Sequence, residues 1–142
     1  MNNRYIFRGK RKDNGELIYG DLIIDQYGKY YIHPNANAFS VNEYNLAKCI
    51  QMIEVIPETV EQCSGVPDRN GKLMYTGDII NALFDFGMPI KSVCGFKNGS
   101  FGLLAKQHGA EHFHAFISLW NVKYEVIGNI YDNPELLEVQ NG

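Results

Sequence analysis

A histidine cluster in the last third of the chain is the one set of side chains whose types and spacing could gather a transition metal. His108, His112 and His114 lie close together, with Glu111 between them. On a strand, His112 and His114 would share one face, and imidazole suits Zn or Ni. The pattern supplies no fixed fourth ligand, however, and residues 107–110 are typical of a loop. We therefore predict exposed or hydrogen-bonded histidines, no bound metal and no cofactor.

A run of cations at the start of the chain could follow a phosphate backbone. The cations precede every acidic side chain, and aromatic residues stand among them, so rings could stack on bases while amines neutralise phosphates. Charged edge strands also prevent sheets from pairing with other chains, which explains the same residues without a ligand. We favour the second interpretation because the net charge of the chain is −3. The basic segment consists of Arg4, Arg8, Lys10, Arg11 and Lys12, and the last four are the candidate nucleic-acid contacts.

Asp21 and Asp78 are a third candidate, because each follows a glycine and precedes two apolar residues. Paired carboxylates can hold Mg²⁺ for phosphoryl chemistry. Equivalent positions in a repeat need not be close in space, and an Asp after Gly commonly accepts backbone hydrogen bonds in a turn or bulge. We predict the structural role.

Aromatic residues are concentrated near the histidines and could line a groove that grips a peptide. Such residues more often fill a core, which is the interpretation that we favour. The set comprises Phe113, Phe116, Trp120, Tyr124 and Tyr131.

The composition is that of a soluble globular protein. The chain has 142 residues, 45% of them hydrophobic, with nine Tyr and eight Phe. This length suits a single domain with a real core. No apolar run approaches the roughly 18 residues that span a bilayer, so we expect the protein in the cytoplasm without a membrane contact. Cys49, Cys63 and Cys94 are isolated and odd in number, which predicts buried, inert thiols.

The elements that position these residues follow from a local design that the chain uses twice. Segment 13–23 returns, slightly lengthened, as segment 68–80. Each copy carries an Asn-Gly pair, Asn14-Gly15 or Asn70-Gly71, which suits the two positive φ angles of a type I′ hairpin turn. The second copy is one residue longer within its strand, which predicts a β-bulge at Gly20 or at Thr76-Gly77.

Further turn signals extend the same pattern along the chain. Asn98-Gly99 predicts a third hairpin, between strands near 93–96 and 101–104. Residues 113–119 and 123–131 predict two more strands, and Asn133-Pro134-Glu135 has the order of residues that begins a helix. Short strands with Gly-rich turns and only a short C-terminal helix predict a mainly β fold, either a small barrel or a sandwich.

Several motifs together resemble the YopX family of phage and prophage proteins. They lie at residues 7–10, 57–65, 68–80 and 128–137, and include Tyr75-Thr76-Gly77-Asp78 and Gly128-Asn129-Ile130-Tyr131. The resemblance implies an SH3-like small β-barrel, with hairpin meanders, and a phage or prophage origin in a bacterial host. It implies no activity and no catalytic residues.

Taken together, these features predict one YopX-like domain over residues 1–142, with a β-meander over about 1–50 and a barrel segment over about 51–137. We expect a non-enzymatic interaction module that acts through an unidentified protein partner, and a homo-oligomer is left open. The alternative is a nucleic-acid-binding accessory protein that uses the basic segment. An enzyme ranks third, because no acid and base stand at a telling spacing.

Overall fold

A computed structural model of the protein describes residues 5–34, 52–85 and 87–138. Arg4 and Cys49 lie outside these residues. The chain divides into two compact units, Met1–Cys63 and Ser64–Gly142. The strands form two antiparallel sheets, so the prediction of a mainly β fold is confirmed. The single YopX-like domain stays a prediction.

The first unit is built on a meander in which sequential strands pair in the order β4-β3-β2-β1. The β1–β2–β3 part is a three-stranded antiparallel meander. A 3-10 turn at Pro57–Thr59 leads into β5, whose Glu61 and Gln62 pair with β1. The buried apolar residues of the first unit, within the described part of the chain, are Ile32, Val55 and Cys63. The strands of the first unit are β1 (Phe7–Lys10), β2 (Leu17–Ile24), β3 (Tyr30–Pro34) and β4 (Ile53–Val55), and β5 (Glu61–Pro67) begins in this unit and ends in the second.

The second unit contains a five-stranded antiparallel sheet in the order β10-β9-β8-β7-β11. Strands β7 to β10 form a meander, a 3-10 turn at Phe116–Ser118 follows, and β11 then returns to pair with β7. The short β6 neighbours β5. The strands are β6 (Leu73–Tyr75), β7 (Asp78–Leu83), β8 (Pro89–Lys97), β9 (Ser100–Gln107), β10 (Ala110–Ala115) and β11 (Lys123–Asn129).

One face of this sheet holds the core. Alternate residues of β7, β8 and β9 point inward, since strand side chains alternate with period two. Burying each large aliphatic side chain of this kind contributes about 1.5–3 kcal/mol. The prediction of buried thiols is confirmed for Cys63 and Cys94. The core cluster comprises Met74, Ile80, Ala82, Cys94 and Leu103.

The turn chemistry was predicted correctly for one Asn-Gly pair. Asn98 and Gly99 have φ of 52° and 81° and connect the paired residues Lys97 and Ser100, as a type I′ turn requires. His108 and Gly109, with φ of 54° and 79°, make an equivalent turn between β9 and β10. Asparagine and histidine are among the residues that tolerate this region best.

The other two Asn-Gly pairs lie in hairpin loops of another type. Gly15 and Gly71 have positive φ, but Asn14 and Asn70 do not, so the type I′ prediction is wrong there. In the second loop Gly71 donates to the Asp68 carbonyl and the Asp68 N–H donates to the Lys72 carbonyl, which leaves a three-residue loop. Such loops need positive φ only at their last residue, and glycine provides it.

The structural counterpart of the 68–72 loop is the loop at 25–29. Each is closed by the same pair of backbone hydrogen bonds, and in each an aspartate Oδ1 accepts from the N–H groups two and four residues later. Both have the pattern Asp-x-x-Gly-Lys. The repeat in the sequence instead matches 68–72 to the loop after β1.

The bulge was predicted at the wrong positions. Gly20 pairs regularly with Phe7 and with Pro34, so β2 continues without a shift. Thr76-Gly77 forms the connection between β6 and β7. There Gly77 (φ 90°) donates to the Cys94 carbonyl and accepts from the Ile130 N–H. A register shift does occur between Val126 and Gly128 of β11.

The predicted C-terminal helix is a single 3-10 turn, Pro134–Leu137. Asn133 stands at its N-cap position, but its Oδ1 accepts from the N–H of Asn129, at 3.2 Å, and makes no cap bond. The loop conformation, more than the cap, therefore begins the turn. In the part of the chain that the structure describes, no helix is long and apolar enough to cross a membrane.

Candidate functional site

Arg8 of the basic segment is buried. Its side chain lies opposite Glu61 in the β1–β5 ladder, and its Nε donates to Glu61 Oε2 at 2.7 Å. Both residues are at least 95% shielded from solvent. A phosphate could reach this guanidinium only if the pair opened. Arg8 is therefore a structural cation in this fold and is not part of an exposed basic face.

The other described cations of the basic segment are Lys10, Arg11 and Lys12. Arg11 and Lys12 lie beside carboxylates, and the backbone of Lys10 is held by a hydrogen bond. Arg11 donates to Asp13 at 2.7 and 2.9 Å, and this hydrogen bond raises the pKa of Arg11 and lowers the pKa of Asp13. Lys12 Nζ lies 2.9 Å from Glu54 Oε2, and that bond raises the pKa of Lys12. The backbone N–H of Lys10 donates to Thr59 Oγ1. Nucleic-acid binding by this segment stays the alternative hypothesis.

The histidine cluster is spread over a turn and a strand. His108 occupies the β9–β10 turn, while His112 and His114 pair with Ala105 and Leu103, on the same face of β10. His112 is exposed, and His114 is half-buried. Over residues 5–34, 52–85 and 87–138, no three His, Cys, Asp or Glu side chains lie where they could share a metal ion. The absence of a bound metal at these histidines stays a prediction.

The two aspartates have different environments. Asp78 is only 2% exposed, and its Oδ2 accepts the Tyr75 N–H at 2.8 Å across the Thr76-Gly77 connection, which is the predicted structural role. Asp21 is exposed on β2, with its Oδ2 3.8 Å from Nδ1 of His33.

The aromatic residues divide between core and surface. Phe116 and Tyr124 pack against the core cluster, with ring centroids 5.3 Å apart, as the core interpretation predicts. Burial raises the pKa of Tyr124. Tyr131 is 39% exposed, so the core prediction is wrong for it. The prediction is also wrong for Trp120, which is 83% exposed. Trp120 lies in the connection after Phe116–Ser118, where no strand pairing holds the side chain against the sheet.

The outer face of the five-stranded sheet carries a groove that the sequence reasoning missed. Its volume is about 700 Å³, within the range of ligand-binding sites. Val93 and Leu104, which face each other across β8 and β9, supply apolar surface, and Leu136 and Leu137 of the last 3-10 turn supply more. This β8–β9 groove is lined by Pro89, Ile90, Lys91, Val93, Leu104, Lys106, Gln107, Glu111, Ile130, Leu136, Leu137 and Glu138.

The groove lies where the sheet opens. The β8–β9 ladder runs from Lys97–Ser100 to Val93–Leu104 and ends there, within the described chain. Beyond that pair, β8 continues along β7 as far as Pro89, while β9 continues along β10 as far as Gln107. The two strands therefore diverge at the groove, and each turns one edge of its backbone toward it.

Charged side chains surround the apolar surface. Lys91 and Lys106 stand two residues beyond the Val93–Leu104 pair and are exposed, and Glu111 and Glu138 complete the rim. No carboxylate among the described residues lies within ion-pairing distance of Lys91 or Lys106. The groove therefore offers aliphatic surface for apolar contacts, two amines that can pair with anions, and two strand edges that can hydrogen-bond to another chain.

Comparison with known proteins decides the family. The model of the YopX protein family matches residues 6–138. The chain belongs to the YopX family. A crystal structure of protein yopX from Bacillus subtilis is similar to this chain, with a TM-score of 0.58 at 20% sequence identity, covering 97% of this chain and 100% of that one. This likeness is one of fold. None of the curated proteins compared with the chain matches it.

Proposed function

We propose that this YopX-family chain is a non-enzymatic interaction module, encoded by a phage or prophage, that works in the bacterial cytoplasm by holding a protein partner in the β8–β9 groove. The observation that carries the proposal is the combination of aliphatic lining and charged rim at the opening of the sheet. Binding surfaces for proteins commonly have an apolar centre and a polar rim. The groove lining supplies both.

The same proposal covers the architecture of the second unit. It assigns this unit to the SH3-like small barrels, and the support is a four-strand meander, a 3-10 turn and a fifth strand that pairs with the first. Small barrels of this class carry many unrelated functions, so the barrel supports no particular activity. We expect the specificity to come from the groove residues. Homo-oligomer formation is a further expectation.

Site-specific photo-crosslinking tests the proposal. Leu137 lines the groove and is 37% exposed, so a p-benzoylphenylalanine placed there would meet any occupant. Lys97, exposed beside the Asn98-Gly99 turn and outside the groove, is the matched control position. In bacteria that carry the phage or prophage, we expect a defined protein adduct from position 137 and none from position 97.

Three results would overturn the proposal. One is the same adducts from both positions, which would indicate unspecific contact. Another is an adduct that nuclease removes, since the occupant would then be nucleic acid. The third is no adduct at position 137 while the protein is present and folded.

A further inference from the structure

The proposed protein partner can be narrowed from the chemistry of the groove, and this inference rests on the proposed function. The first step is the backbone. A strand carries hydrogen-bonding groups on both sides, and the ladders of β8 and β9 are complete on their outer sides, toward β7 and β10. On the facing sides the ladder stops at Val93–Leu104. An extended chain segment could add to either edge by strand pairing.

The second step is the position of the amines. Lys91 and Lys106 lie two residues beyond the Val93–Leu104 pair, one on each strand that borders the opening, and strand alternation puts both on the side of the sheet that carries Val93 and Leu104. The outer neighbours are Asn81, which pairs with Lys91, and Glu111, which pairs with Lys106. Glu111 thus stands beside Lys106, whereas no carboxylate stands next to Lys91 in the β7–β8 ladder, so Lys91 is the amine open to an anion of the partner.

The third step is the spacing between the two kinds of surface. The aliphatic row, Val93 and Leu104, and the amine row, Lys91 and Lys106, are two residues apart along their strands, which is about 7 Å. Side chains at alternate positions of an extended peptide have the same separation and share one face. We infer that the groove binds an extended peptide segment of the partner that carries an aliphatic residue and, two positions away, an aspartate or glutamate.

Selection from a yeast-displayed library of random decapeptides tests this inference with the purified full chain. The test variant is K91E/K106E, and the matched control is K97E/K123E, which makes the same charge change at exposed lysines outside the groove. All four positions are exposed, and circular dichroism checks that each variant folds. The wild type and the control should enrich an aliphatic residue spaced two positions from a carboxylate, and K91E/K106E should enrich Lys or Arg at the acidic position.

A peptide from the wild-type selection then gives the size of the effect by fluorescence polarisation. K91E/K106E should weaken its binding by about tenfold or more, and K97E/K123E by less than about twofold. The inference is wrong if no motif is enriched, if the motif lacks an acid, or if both double variants bind alike. It is also wrong if oligothymidylate, or a second copy of the chain detected by light scattering, occupies the groove in place of the peptide.

The two proposals fail in distinguishable ways. If position 137 crosslinks to a protein but the selected peptides carry no acid, the groove binds a partner of other chemistry and only the inference falls. If no protein adduct forms at position 137, the proposed function falls, whatever the peptides show.

Discussion

Replacing Asp68 with Asn should destabilise the second unit by about 3 kcal/mol. The carboxylate is buried, and it accepts backbone N–H groups from Asn70 at 2.8 Å, Lys72 at 2.9 Å and Val126 at 3.1 Å. Asparagine has one acceptor oxygen, so it leaves a buried N–H without its partner, at about 1–3 kcal/mol, and weakens the other bonds from charged to neutral. The bond to Val126 also fixes the loop against β11.

Urea unfolding followed by far-UV circular dichroism measures this loss, and the chain supplies its own control. Asp25 closes the equivalent loop and accepts the N–H groups of Tyr27 and Lys29, both at 2.9 Å, through Oδ1. Its Oδ2 lies 3.4 Å from the Tyr31 hydroxyl. Asp25→Asn keeps the local acceptor and should cost clearly less. If the units unfold in separate transitions, each variant is compared at the transition of its own unit.

The dependence on pH gives a second check. Burial opposes ionisation of Asp68 most strongly, but the backbone hydrogen bonds from Val126, Lys72 and Asn70 together outweigh it, so the pKa of Asp68 is lowered. A lowered folded pKa gives stability that is complete above the unfolded value of about 3.9 and is lost as the pH falls through the folded value. The difference between wild type and Asp68→Asn should therefore shrink below about pH 4. Equal losses for the two variants at pH 7, or an undiminished difference at pH 3, would refute the reasoning.

Four further predictions concern the turns, the buried pair and the untested ligands. Gly71→Val should cost about 1–2 kcal/mol in a thermal melt, because φ is +83° with open space around the Cβ; no loss would contradict the turn. Arg8→Met should cost about 3–5 kcal/mol in urea, and adding Glu61→Leu should restore much of it; additive losses would show that the pair is not coupled. Fluorescence anisotropy at physiological salt should show no oligonucleotide binding by the wild type, and replacing Lys10, Arg11 and Lys12 with serine should change nothing. Binding that weakens as salt rises, and that these serines also weaken, would establish the alternative function. Excess Zn²⁺ should leave the melting temperature unchanged, whereas an increase would show that the folded chain binds the metal.

Local signals predicted the strands well, because turn residues and alternation act over a few positions. Asn98-Gly99 illustrates this, since its two flanking strands meet in register and both φ angles follow from the residue types. Asn70-Gly71 has the same sequence and a different loop, because Asp68, two residues before Asn70, ties the backbone into a three-residue loop. The dipeptide alone does not contain that information.

Long-range partners explain what the sequence could not reveal at its two most important sites. The burial of Arg8 depends on Glu61, which is 53 positions away, so the segment looked uniformly basic. The β8–β9 groove depends on where a ladder ends and on a 3-10 turn at the end of the described chain. The alternation Lys91-x-Val93 and Leu104-x-Lys106 was visible, and with the hairpin at Asn98-Gly99 it would have placed both amines beside both aliphatic residues.

Hydrogen exchange of the chain, alone and with the partner protein identified by crosslinking, tests the central claim most directly. If the partner adds an extended segment at the opening of the sheet, amide exchange should slow at residues 89–93 and 104–107 and around the 3-10 turn at Pro134–Leu137. The tip at Asn98-Gly99 and the strands of the first unit should exchange as before. Protection confined to the basic segment, with unchanged exchange along the groove, would contradict the account.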